Sequence, residues 1–205
     1  MNYTVHDIYG DAYSRTGHFG YTYRGVNCVK CPFDYALYQM LITEVKPDLI
    51  IEIGTHVGGS TLYLADLLDI NNHGVIHTID IENKVTSPLI MNHKRIQKKF
   101  INGYDKYDIK NLENFNKILL IDDGSHDYYD IMKAYNKFEK YVNTYYIIED
   151  GILSNILDDK IFNGGPLKAI DEIVNKGRFY VDEKFCNFYG KNYTFNPNGY
   201  LKYKG

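Results

Sequence analysis

The sequence predicts an α/β protein, a mostly parallel sheet with helices on both faces, and three observations carry that prediction. Two apolar runs, residues 117–121 and 145–148, each end abruptly in carboxylates. Runs of this kind read as strands buried on both faces of a parallel sheet. Between them Tyr128, Ile131, Met132, Tyr135, Phe138 and Val142 recur at helical spacing, which makes a strand–helix–strand unit. A third apolar run, residues 49–53, passes through a glycine-bearing turn into leucines at near-helical spacing. Right-handed crossover brings the acidic strand ends to one edge of the sheet, where ligands bind in open α/β folds. Asp123, His126, Glu149 and Asp150 therefore converge, and the pattern predicts a divalent metal site with a general base beside it.

Length and charge narrow the alternatives. A chain of 205 residues, 44% hydrophobic and 24% charged, fits one soluble domain with a substantial core. Residues 1–30 are expected to form a lead-in segment and residues 31–205 a single domain. The net charge of −3 argues against nucleic acid or an anionic membrane as a partner. The basic cluster His93-Lys94-Arg95 with Lys98-Lys99 reads as a solvated helix face. No apolar run reaches the roughly 18 residues that span a bilayer, and Met1-Asn2-Tyr3-Thr4-Val5-His6 lacks the pattern of a signal peptide. Three cysteines suggest no disulfide framework, so a reducing, cytoplasmic setting is expected. Cys28 and Cys31 have CxxC spacing, but no second pair completes a zinc site, and buried thiols are the expected reading.

Taken in order, the first 30 or so residues lack clean periodicity and are expected to be extended. Pro32 and Asp34 start a helix whose inner face is Leu37, Met40, Leu41 and Val45, and Lys46-Pro47-Asp48 ends it. The strand at 49–53 then reaches Gly54-Thr55-His56-Val57-Gly58-Gly59-Ser60. Gly54 permits a sharp turn, and Gly58-Gly59 are expected to let a ligand approach the backbone. The free N–H groups at the following helix start attract an anion or carboxylate. Glu52 stands where a dinucleotide GxGxxG would have its first glycine, so a cationic or hydroxyl-bearing ligand suits the turn better than a pyrophosphate. A tight turn without a ligand is the competing reading. Residues 75–79 form the next strand and end in Asp80, placed as a partner for ribose hydroxyls. A helix is expected within residues 84–99 and a short strand with its exit turn at 100–105. Past Asp150, Pro166 opens a helix with Leu167, Ile170, Ile173 and Val174 inward, closed by Gly177. The tail, residues 179–203, alternates aromatic and polar residues around Asn196-Pro197-Asn198-Gly199 and predicts one or two antiparallel strands.

These residues form a pattern. Gly25, Lys30-x-Pro32-x-Asp34, the stretch Lys46 to Thr55, Asp123-x-x-His126, Glu149-Asp150, Gly165-Pro166 and Asn196-Pro197-Asn198-Gly199-Tyr200-Leu201 occur in order. Together they resemble the cephalosporin hydroxylase-like family of class I S-adenosylmethionine-dependent methyltransferases, related to metal-dependent sugar O-methyltransferases. The resemblance implies a Rossmann-like class I methyltransferase fold with a seven-stranded, mostly parallel sheet. It also implies S-adenosylmethionine as cofactor, magnesium or another divalent cation, a sugar or small-metabolite acceptor, and a homo-oligomer.

By the same resemblance Asp123, Glu149 and Asp150 are the metal ligands and His126 is the general base. Glu52 and Asp80 face the methionine and ribose portions of the cofactor, with Gly54, Thr55, Gly58, Ser60 and Asp123 completing its site. Strand-end acids that cap helices or pair with lysines are the competing reading of the carboxylates. Strand alternation sends Asp122 and Asp123 to opposite sides, and the family register selects Asp123. A hydroxylase-type tailoring subunit and a catalytically silent nucleoside-binding partner protein are the rival functions. The histidines show no facial-triad spacing in support of the first, and fold alone does not separate the second from an enzyme.

Overall fold

The computed structural model describes residues 12–110, 112–157 and 160–205. Residues 1–11 of the expected lead-in lie outside that set. The rest of it is not extended throughout. Ala12–Gly20 is a helix (α1), followed by a hairpin of Thr22–Tyr23 (β1) and Val26–Asn27 (β2). The hairpin is fastened to the body: the Tyr23 hydroxyl donates to Asp66, and Arg24 forms an ion pair with the same carboxylate at 2.8 Å.

Pro32–Val45 (α2), Leu49–Ile53 (β3), Gly59–Ile70 (α3) and Val75–Asp80 (β4) follow as the sequence predicts. The helix expected within residues 84–99 is present but short. A single short turn, Pro88–Met91 (α4), precedes a strand at Ile96–Phe100 (β5), four residues earlier than expected. β5 is an edge strand pairing only with β4, and its residues alternate buried and exposed. Lysines on such an edge keep it from pairing with other chains, and the same lysines imitate the polar face of a helix.

Beyond it come Ile118–Asp122 (β6), Tyr128–Phe138 (α5), Tyr145–Ile148 (β7), Leu153–Ile156 (α6) and Gly165–Asn175 (α7). Phe179–Val181 (β8), Glu183–Cys186 (α8) and Tyr200–Tyr203 (β9) complete the chain. The sheet has seven strands in the order β5-β4-β3-β6-β7-β9-β8. The first five are mutually parallel, and β9 runs antiparallel to both neighbours.

Strand alternation divides the core into two layers. Ile50, Leu119 and Ile147 face α2 and α3 on one side, while Ile51, Leu120 and Ile148 face α5 and α7 on the other. Strands covered on both faces are apolar at nearly every position, which is why β3, β6 and β7 read as apolar runs, with Glu52 in β3 and Asp122 at the end of β6 as the exceptions. Strand order reverses between β3 and β6, so the carboxyl ends of those two strands open the crevice.

Candidate active site at the carboxyl ends of the strands

Gly54 closes the crevice floor. Its φ is +96°, and a Cβ there would lie 2.0 Å from the Asp123 carbonyl oxygen, so only glycine lets β3 and β6 end side by side. The Gly54 N–H donates to Ile79 O at 2.8 Å and the Asp123 N–H to Ile53 O at 2.9 Å. Glu149 continues the series by donating its N–H to Asp122 O at 3.0 Å. Four consecutive strand ends, β4, β3, β6 and β7, are thus stitched in register above one cleft.

That cleft has a volume of about 1420 Å³, above the roughly 300–1,000 Å³ of sites for one small ligand. Gly54, Thr55, Gly58, Ser60 and Asp80 line one end, and Asp123, His126 and Asp150 line the other. Asp80 is oriented by its surroundings: Oδ2 accepts the His56 N–H at 2.8 Å and Oδ1 the Glu82 N–H at 3.2 Å. Thr55 and Thr78 share a hydroxyl contact of 2.6 Å behind the turn.

Glu52 does not line the cleft. It is fully buried, and its carboxylate accepts Ser60 Oγ at 2.6 Å, Thr61 Oγ1 at 2.5 Å and Thr78 Oγ1 at 2.7 Å. Burial raises its pKa and the three hydroxyls oppose the rise. In place of the expected direct contact, Glu52 fixes Ser60 from beneath. The glycines after the turn also serve the chain itself. A Cβ on Gly59 would lie 2.1 Å from Asn27 O, and one on Gly58 2.6 Å from Ile90 Cδ1. Both close approaches belong to packed segments of the protein, and both glycines also line the cleft, where a ligand is expected.

At the acidic end, one ligand atom each from Asp123, His126 and Asp150 lies within 4.8 Å of the others. His126 Nε2 is 3.5 Å from Asp150 Oδ2, and the His126 ring stands edge-on to Phe162. Both His126 and Asp150 hold left-handed backbones, φ +59° and +56°. Such conformations cost about 1–3 kcal/mol at a non-glycine residue and persist where surrounding structure enforces them. Here the Asp150 N–H donates to Asn196 Oδ1 at 2.9 Å. Gly199, where a Cβ would lie 2.2 Å from Ile148 O, lets the Asn196–Gly199 turn approach that corner. Asp122 points away: it is buried and accepts the Tyr146 hydroxyl at 2.8 Å. Asp127 caps α5 by accepting the Tyr129 N–H.

Glu149 stands behind the trio, 3% exposed. Its Oε1 accepts both Lys30 Nζ at 2.5 Å and the Tyr38 hydroxyl at 2.6 Å. Lys30 also reaches Asp123 Oδ2 at 2.9 Å. Burial and the nearby Asp123 push Glu149 well above the ordinary carboxylate range and Asp150 up to about 6. Burial opposes the Lys30 ammonium, yet Asp123 and Glu149 hold its pKa well above the usual value. The carboxylates thus crowd more negative charge than Lys30 alone balances. Oxygen-rich donors with surplus negative charge fit a hard divalent cation. Lys30 and Tyr38 are contacts that sequence reasoning gave no role, although Lys30 opens the Lys30-x-Pro32-x-Asp34 motif.

Residues 16–204 match the sequence profile of the family described as Rhamnosyl O-methyltransferase/CmcI. The chain is 29% identical over 195 residues to a rhamnosyl O-methyltransferase of Mycobacterium tuberculosis, covering 88% of this chain and 77% of that one. The corresponding protein of Mycobacterium leprae is 26% identical over 192 residues, with 88% and 82% covered. A solved structure of CmcI described with Mg and SAM has a TM-score of 0.65 at 21% identity, over 91% of this chain and 78% of that one. That likeness shows the fold expected of class I methyltransferases, seven strands with β9 antiparallel to its two neighbours. The chain belongs to the Rhamnosyl O-methyltransferase/CmcI family.

Proposed function

We propose that this protein is an S-adenosylmethionine-dependent, metal-assisted O-methyltransferase acting on a sugar hydroxyl. The observation that carries the reading is one cleft with two ends: the Gly54 turn with Asp80, and the Asp123–His126–Asp150 cluster. Family membership supports methyl transfer, and the names of the mycobacterial relatives support a sugar acceptor. The cleft has room for a cofactor and an acceptor together.

Methyl transfer to an alcohol is an in-line displacement: the hydroxyl oxygen bonds the methyl carbon, the carbon–sulfur bond breaks, and the hydroxyl proton leaves. The Gly54 turn, Thr55, Gly58 and Ser60 form the wall for the cofactor, and Asp80 accepts from its ribose hydroxyls. Asp123, Glu149 and Asp150 would hold the cation, with Asp123 between the two subsites. When bound there, a divalent ion would supply Lewis-acid stabilisation of the acceptor alkoxide. His126 takes the proton at Nε2, the nitrogen that faces Asp150. The strained backbones of His126 and Asp150 keep those groups aimed at the acceptor before it arrives.

Labelled-methyl transfer from S-adenosylmethionine to a panel of rhamnosides, with and without magnesium, tests the proposal. Chelation is expected to abolish transfer and added magnesium to restore it. His126→Ala should retain cofactor affinity while losing transfer by about 100-fold or more, whereas Asp80→Ala should weaken cofactor binding about tenfold. Equal loss of binding in both variants would sink this division of roles.

In this reading the methyltransferase domain takes in the hairpin and Lys30 as well as the expected residues 31–205, and it acts as a cytoplasmic homo-oligomer. Support for that setting comes from Cys28, Cys31 and Cys186, all buried and unbridged. No helix among the described residues is long and apolar enough to cross a membrane.

A further inference from the structure

Behind the acidic end of the cleft one cation is already in place. Lys30 is 3% exposed and lies between two carboxylates brought from 93 and 119 residues further along the chain. The nearby buried acids have partners of their own. Glu52 is satisfied by three hydroxyls, and Asp34 accepts from Thr194, the Phe195 N–H and Tyr200. Lys30 is therefore committed to Asp123 and Glu149. With Asp123, Glu149 and Asp150 all ionised, as an ion between them would require, the Lys30 ammonium leaves two negative charges, the complement of a divalent ion.

We infer that Lys30 is a fixed counter-cation that sets the charge of the metal site. The inference rests on the metal-assisted reading above and assigns Lys30 a positioning role, since its side chain does not line the cleft. Lys30 holds one oxygen of Asp123 and one of Glu149, so these carboxylates keep their orientation whether or not an ion is bound. It also repels the incoming ion, which limits affinity and leaves coordination positions for an acceptor. Tyr38, on the same Glu149 oxygen, adds a hydrogen bond without adding charge.

Affinity should then follow the charge count, a relation that a merely structural lysine would not produce. Mn²⁺ binding, read from the loss of the free-ion electron paramagnetic resonance signal, is measured in wild type, Glu149→Gln, Lys30→Met and the double variant. Circular dichroism and thermal melts check each fold. Glu149→Gln should bind about tenfold more weakly than wild type, and Lys30→Met about tenfold more tightly. The double variant, which restores the wild-type charge, should return to within about threefold of wild type. If Lys30→Met alone fails to fold, the double variant against Glu149→Gln still decides the matter. A double variant that binds no more tightly than Glu149→Gln overturns the inference. Absence of Mn²⁺ binding in folded wild type would instead overturn the metal-assisted reading on which it rests.

Discussion

Single side chains in this protein are set by what surrounds them. His77 on β4 is 9% exposed, its Nδ1 lies 2.6 Å from the Tyr107 hydroxyl, and Phe115 packs edge-on against its ring. Burial, with a smaller contribution from Lys99, lowers its pKa from 6.5 to about 4. Between those values the unfolded chain binds a proton that the folded chain refuses. Stability on this account is complete above pH 6.5 and falls as the pH drops towards 4. His77→Phe should remove about 2–3 kcal/mol of that acid-side loss, seen as a shallower change in urea stability between pH 7 and pH 4.5. Sequence alone separated Asp122 from Asp123, because strand alternation is a local rule. It left Lys30 without a role, because nothing near Lys30 in the chain announces carboxylates that arrive from β6 and β7.

Secondary-structure elements were legible where burial was two-sided and obscured where it was not. β3, β6 and β7 announce themselves as apolar runs because helices cover both of their faces. β5, at the sheet edge, carries Gln97, Lys98 and Lys99 and begins four residues before the strand the sequence predicts. Turn chemistry was clearer, since Gly54 answers to one steric fact. Gly54→Ala puts a Cβ 2.0 Å from the Asp123 carbonyl at φ +96°, so it should destabilise the fold by about 2 kcal/mol or more. It should also displace Asp123. The expected observations are a lowered melting temperature and weakened S-adenosylhomocysteine binding; an unchanged melt and unchanged affinity would refute this account of the turn.

At the scale of the whole molecule, the C-terminal segment locks the site from behind. Asp34, 1% exposed at the start of α2, accepts from the Thr194 hydroxyl, the Phe195 N–H at 3.0 Å and the Tyr200 hydroxyl at 2.8 Å. Asp34→Ala strands three buried donors and should cost about 3 kcal/mol or more, measurable by denaturant titration. The site should lose metal affinity with it, because Asn196 in the same segment holds the Asp150 backbone. The motifs at both chain ends could be quoted from the sequence, but their contact across 160 residues could not. The central claim is that the two-ended cleft binds S-adenosylmethionine and a divalent ion. Its most direct test is calorimetric titration of the purified protein with S-adenosylmethionine and S-adenosylhomocysteine, with and without magnesium. Saturable binding of both nucleosides at one site per chain is the predicted result, and no binding of either under either condition would contradict it.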